Sequence, residues 1–132
     1  MSIDTQQYLM NEAWVLFQLN DKPIETELDG DLNVFAIMDV ASRLAFGMEF
    51  VSVLAEEPSE FEAKKLLDSS ELQAGARPKY LFMDSSKKLD QFARVVTLQG
   101  IKLVLEESRN LDLITEEIRT GFAIRVSRGT RQ

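Results

Sequence analysis

Few residue types in this chain could carry out chemistry. The 132 residues include no cysteine and no histidine. Their absence excludes thiol nucleophiles, Ser-His-Asp catalysis and histidine-ligated zinc. Carboxylates remain, together with lysine and tyrosine. Carboxylate oxygens are ligands that Mg²⁺ and Mn²⁺ prefer, so metal-assisted phosphoryl transfer is the chemistry that these residues could support.

Four acidic residues are candidates for such a site. Asp84 directly follows the apolar stretch 79–83, and Glu117 lies near the buried face of the last predicted helix. Asp21 lies in the turn after the first predicted strand, and Asp39 follows the second. Three of them have a plainer role: Asp84 could cap a helix, Glu117 could be a solvated surface residue, and Asp39 could accept the N–H groups of its own turn.

Two further charged pairs flank the strand that ends at Asp84. Glu106 and Glu107 follow a later strand and could form an acidic rim at the same sheet edge, although a charged loop is the simpler interpretation. Lys87 and Lys88 lie at the start of a predicted helix, where they could meet an anion near Asp84.

The elements that would position these residues follow from turn signals and periodicity. Ser59 and Glu62 fit a capping box that opens a helix ending near Gly75. A second helix is predicted after Ser85 or Ser86, where the apolar stripe has helical spacing. Segments with strand character are residues 12–19, 32–38, 44–54, 79–83 and 101–105.

The end of the chain predicts one more helix and one more strand. Asn110 can cap a last helix whose apolar residues share one face, and Gly121 would end it. Residues 122–126 then fit a short sixth strand. The order of elements predicts an α/β mixed sheet of five to six strands, with three antiparallel strands first, then parallel strand-helix crossovers and helices on the faces. We expect residues 1–132 to form a single domain with a short basic tail at about 122–132.

This order resembles the ribonuclease H-like fold, and three sequence strings resemble retroviral-integrase and transposase catalytic cores. The strings are NEAWVLFQLN, VFAIMDVASRLAFGMEF and ARPKYLFMDSSKKLDQFARVVTLQGIKLVLEES, which together span about residues 11–108. A flavodoxin-like sheet is the main alternative, and no Gly-rich phosphate loop follows an early strand to support it.

The resemblance implies a particular site. In that family, two Mg²⁺ or Mn²⁺ ions are held by an Asp of the first strand, an Asp of the fourth strand and a carboxylate of a late helix. Asp84 matches the fourth-strand position, and Glu117 is the best late-helix match. The family spacing from Trp14 leads to Phe17 rather than to an acid, and a slip would be needed to bring in Asp21. The resemblance therefore implies a degenerate site without its bridging ligand.

Two functions follow from this sequence. The preferred one is a non-catalytic ribonuclease H-like domain that needs no cofactor and acts through a protein partner or self-association, with the edge of the third strand as one candidate surface. The alternative is a divergent Mg²⁺- or Mn²⁺-dependent nuclease or phosphoryl transferase that uses Asp84, Glu117 and a displaced acid, Asp21 or Asp39. Small-molecule sensing is a third possibility for which the sequence specifies no ligand.

The charge distribution limits the partners further. The net charge is -7, and no acid follows Glu117, whereas four arginines do. An acidic body repels phosphate backbones, so nucleic-acid binding is not expected except through the basic tail. No apolar run is long enough to cross a membrane, and Met1–Gln7 lacks a signal-peptide pattern. We therefore expect a cytoplasmic protein.

Overall fold

A five-stranded mixed sheet forms the centre of the fold in the computed structural model, which describes residues 3–129. The strand order is β3-β2-β1-β4-β5. β1, β2 and β3 form an antiparallel meander, whereas β4 and β5 extend the sheet from β1 in parallel. The predicted mixed sheet is therefore confirmed. The strands are β1 Ala13–Gln18, β2 Leu32–Asp39, β3 Ala45–Ser52, β4 Tyr80–Asp84 and β5 Lys102–Glu106.

Three helices cover the sheet: α1 Glu60–Ala74, α2 Asp90–Leu98 and α3 Ser108–Gly129. The predicted capping box at the start of α1 is confirmed: the Ser59 hydroxyl accepts from the Glu62 backbone at 3.1 Å, and the Glu62 side chain accepts from the Ser59 backbone at 2.9 Å. Gly75 ends α1 with a φ of +69°, a conformation that glycine adopts without strain. No described helix is both long and apolar enough to cross a membrane.

α2 begins later than the sequence predicts. Its N-cap is Leu89, which makes no side-chain capping hydrogen bond, so the serine cap at Ser85 or Ser86 was wrong. The hydroxyl of Ser86 instead donates to Asp84 at 2.6 Å. A serine engaged by the preceding strand end is not free to cap the helix that follows.

The longest helix, α3, also differs from the prediction. It begins at Ser108 rather than after Asn110 and continues through Gly121 to Gly129, so the helix end at Gly121 and the strand at residues 122–126 were wrong. Phe122 packs against the same core cluster as Ile118. Because that spacing continues the buried face of the helix, it outweighs the roughly 1 kcal/mol cost of an interior glycine. Thr130–Gln132 of the basic tail lie outside the described residues.

The central strand β1 is buried on both faces and therefore separates two cores. Trp14 and Leu16 point into the core beneath α1 and α2. Val15 and Phe17 point into the core beneath α3. This alternation is the two-residue period of a strand, and it directs Phe17 towards the helix that also carries Glu117.

Candidate functional site

A polar cleft lies where the carboxyl ends of β1 and β4 meet α3. β1 and β4 are parallel and pair Val15 with Phe82, so two residues further along each strand lie Phe17 and Asp84. Both line the cleft, and α3 closes its other side. Its volume is about 110 Å³. Pockets that hold drug-sized ligands have volumes of roughly 300–1,000 Å³, so this cleft has room for only a few water molecules or ions.

Asp84 is held at the edge of this cleft by two serines. The Ser86 backbone and hydroxyl donate to one carboxylate oxygen at 2.9 and 2.6 Å. The Ser108 hydroxyl lies 2.7 and 2.6 Å from the two oxygens. Asp84 thus ties the end of β4 to the first residue of α3. Burial raises the pKa of the Asp84 carboxyl, but the hydrogen bonds from Ser108 and Ser86 outweigh it, so the pKa lies below its ordinary value.

The lowered pKa of Asp84 gives a testable pH dependence. Because the folded-state pKa lies below the unfolded one, ionised Asp84 stabilises the fold above the unfolded pKa, and this contribution is lost as the pH falls through the folded pKa. We expect Ser108→Ala to raise the Asp84 pKa, measured by NMR titration of the side-chain carboxyl carbon. Ser69→Ala removes a serine that bonds only within α1 and is the control. An Asp84 midpoint that is unchanged in Ser108→Ala would contradict the assignment.

Arg119 brings positive charge into the cleft from α3. Its Nε donates to the Thr115 hydroxyl at 3.0 Å, and its Nη2 donates to the Asp112 carbonyl at 3.2 Å. The guanidinium also lies 3.6 Å from the Asp112 carboxylate and 4.0 Å from the Asp21 carboxylate. Lys87, from the loop after β4, lines the same cleft. Two cations therefore accompany the acidic groups here.

The structure brings together some of the predicted site residues. Asp84 and Asp21 both line the cleft, as does Phe17 near the end of β1, whose side chain belongs to the core beneath α3. Asp21 is on the rim, with 85% of its side chain exposed. Asp21, one of the two displaced acids that the sequence suggested, therefore does reach the cleft, but its charged partner there is Arg119.

Two other predicted residues lie away from the cleft. Asp39 pairs with Trp14, at the opposite end of β1 from Phe17. Its carboxylate accepts from the Ser42 backbone and hydroxyl, as its structural role predicts, whereas the Arg43 N–H donates to the Asp39 backbone carbonyl. Glu117 points into a separate groove beside Ser42 and Arg43. Neither acid can share a metal ion with Asp84 in this arrangement.

The charged pairs beside Asp84 have separate partners. Lys87 donates to the Gln18 side chain at 3.2 Å, within the cleft, whereas Lys88 pairs with Glu56 at 2.9 Å. Glu106 accepts from the Asn110 side chain at 2.8 Å and thus helps to fix the start of α3. Glu107 pairs with Arg109 at 2.8 Å. The predicted acidic rim is therefore a set of local contacts.

Sequence reasoning missed the side of the cleft that α3 contributes. Leu111, Asp112, Thr115 and Arg119 face it. Their spacing of one, three and four residues places them on one side of the helix, but the sequence alone did not show that this side faces the strand ends. Within residues 3–129, no three acidic side chains are grouped closely enough to hold a metal ion.

Comparisons with known proteins support the fold and leave the chemistry open. No protein-family model matches this chain, and no curated protein matches it. It is similar to a chain in the cryo-EM structure of the simian T-cell lymphotropic virus intasome in complex with the PP2A regulatory subunit B56 gamma, with a TM-score of 0.59 and 14% sequence identity. The match covers 86% of this chain and 40% of that one. At this identity the likeness shows the fold alone, a mixed α/β ribonuclease H-like fold.

Proposed function

We propose that this chain is a non-catalytic ribonuclease H-like domain that acts by binding protein, either a partner or a second copy of itself. The observation that carries the proposal is Arg119, whose guanidinium faces the carboxylates of Asp21 and Asp112 at 4.0 and 3.6 Å. A two-metal site requires carboxylates to converge on divalent cations. In this cleft, a permanently charged side chain supplies the positive charge instead.

The surroundings of Asp84 support the same proposal. Both of its oxygens already accept hydrogen bonds from serine, at 2.6 to 2.9 Å. A metal ion would have to displace Ser86 or Ser108 and would face the apolar ring of Phe17, where the resemblance places the bridging acid. A metal ion would therefore have to compete with contacts that are already made, although the exposed Ser86 could bond water instead.

The partner expected from the charge is a protein. Outside its last fourteen residues, the chain carries 22 acidic side chains against 11 basic ones. Such a surface repels a nucleic-acid backbone. The alternative, a divergent nuclease that uses Mg²⁺ or Mn²⁺, would need Asp84, Asp21 and Asp112, which line the same cleft, to move closer together than they lie in this structure.

A metal titration separates the two functions. An ion that binds only the folded state raises the thermal midpoint by mass action. If the domain is non-catalytic and binds no metal, we expect Mg²⁺ and Mn²⁺ at about 10 mM to leave the midpoint unchanged. Cleavage of labelled single- and double-stranded DNA and RNA would be assayed in the same buffers, with Asp84→Asn as the control. A rise in midpoint that Asp84→Asn abolishes, or cleavage lost in that variant, would establish the nuclease.

A further inference from the structure

The edge strand β3 exposes an unusual amount of apolar surface. It lies at one end of the strand order, with β2 on its only paired side. Met48 and Phe50 are paired with Ala36 and Val34, which belong to the core beneath α3. Met48 and Phe50 are nevertheless 53% and 48% exposed, because α3 lies over the centre of the sheet and leaves this part of the same face uncovered.

The free backbone groups of β3 are also directed outwards at these residues. Val53 donates to the Asp31 carbonyl at 3.1 Å, so the hydrogen bonds of the β2–β3 ladder fall on every second residue from Val53. In an antiparallel pair the intervening residues point their N–H and C=O groups away from the partner strand. The intervening residues after the β-bulge are Met48, Phe50 and Ser52.

β3 has few of the features that protect an edge strand. Soluble proteins usually cover such edges or place lysine or proline on them. The register of the β2–β3 pairing shifts between Ile37 and Met38 on β2, opposite the beginning of β3. The following segment of β3, Gly47–Ser52, contains no bulge. That segment contains neither lysine nor proline. The other edge strand, β5, begins with an exposed lysine and has only five residues.

The two ends of β3 carry opposite charges. Arg43 is exposed in the turn that precedes the strand. Asp31 is exposed beside the end of the strand, where its backbone carbonyl accepts from the Val53 N–H, and the nearby Glu56 is also exposed but pairs with Lys88. Two copies of this strand in antiparallel pairing would therefore place the basic end of each beside the acidic end of the other. A parallel pairing would place like charges together.

We propose that β3 pairs with β3 of a second copy of this chain across a twofold axis and joins the two sheets into one. This inference rests on the proposed function and names its partner. The register that pairs all three outward-facing residues with one another places Phe50 opposite Phe50 of the partner subunit and Met48 opposite Ser52 of the partner subunit. The interface then combines backbone hydrogen bonds, a cross-strand aromatic pair and complementary ends.

Sedimentation of the full chain tests this pairing. We expect a concentration-dependent dimer that Phe50→Lys weakens by at least ~10-fold in Kd, because a charge would be buried at the centre of the interface. The matched control is Leu105→Lys, which changes a 60% exposed leucine on β5 and is expected to leave the dimer intact. Equal dimerisation of the wild type and Phe50→Lys would overturn the proposal.

Hydrogen exchange locates the contact without a mutation. Slower exchange of the Met48, Phe50 and Ser52 amides at high protein concentration supports the pairing, and exchange that does not depend on concentration contradicts it. Arg43→Glu is expected to weaken the dimer, whereas Arg94→Glu, which changes an exposed arginine on α2, is expected not to. If the wild type stays monomeric and its thermal midpoint does not change with Mg²⁺ or Mn²⁺, the β3 pairing is contradicted but the non-catalytic function is not.

Discussion

Asp39→Ala is expected to lower the free energy of unfolding by about 3 kcal/mol. Asp39 is 0% exposed, and its carboxylate accepts three hydrogen bonds: the Asn11 N–H at 2.8 Å, the Ser42 N–H at 2.8 Å and the Ser42 hydroxyl at 2.7 Å. Alanine would leave all three donors without this acceptor. The measurement is urea unfolding at pH 7, followed by circular dichroism.

The backbone around Asp39 explains why this effect should be large. Asn11 and Arg43 are the two non-glycine residues with positive φ among those described, at +63° and +62°. The N–H of Asn11 bonds the Asp39 carboxylate, and the N–H of Arg43 bonds the Asp39 carbonyl. The Asp39 carboxylate thus stabilises the unfavourable conformation of Asn11 directly, whereas the bond from Arg43 goes to the Asp39 backbone and would survive the substitution to alanine. Asp29→Ala, at an exposed loop position, is the control, and a loss below about 1 kcal/mol in Asp39→Ala would contradict this role.

Phe17→Asp, combined with Arg119→Ala, is expected to lower the free energy of unfolding by about 4 kcal/mol. We also expect Mn²⁺ to stabilise this double variant, but not the wild type, against unfolding. Phe17 is buried in the core beneath α3, so its removal leaves a cavity. The new carboxylate would lie beside Asp84, and the arginine that faces Asp21 and Asp112 would be gone. At a tenfold excess of Mn²⁺ over Kd, binding would return about 1.4 kcal/mol.

The neutral counterpart separates metal binding from simple destabilisation. Phe17→Asn with Arg119→Ala should lose a similar amount of stability, because it leaves a cavity of about the same size, but it should gain nothing from Mn²⁺. Both double variants would be compared by thermal unfolding at a series of Mn²⁺ concentrations. An equal response in the two variants would show that the strand ends do not form the ligand geometry that the resemblance implies.

Much of the fold could be predicted because its signals are local. The capping box at Ser59 and Glu62, the turn at Asp39 and the apolar strands each depend on neighbouring residues, and their order determined the mixed sheet. The end of α3 could not be predicted in this way. Gly121 reads as a helix end, and only the packing of Phe122 against the core, a tertiary contact, continues the helix past it.

The candidate site was predicted on the strand side and missed on the helix side. Asp84 followed from a strand end and Phe17 from the family spacing that the resemblance implies, and parallel pairing of β1 with β4 brings them to one edge. The rotation of α3 was not fixed by its sequence, because charged residues occur around much of its circumference. For that reason Glu117 was selected, while Arg119 and Asp112, which do face the cleft, were not.

The most direct test of the central claim is paramagnetic line broadening of the backbone amides during a Mn²⁺ titration of the wild-type chain. A cleft whose carboxylates are already engaged by Arg119 and by serine hydroxyls should bind no Mn²⁺, so the amides of Asp21, Asp84 and Asp112 should broaden no more than those of exposed acids such as Asp29. Selective broadening at those three amides at submillimolar Mn²⁺ would reveal a working metal site and contradict the non-catalytic account.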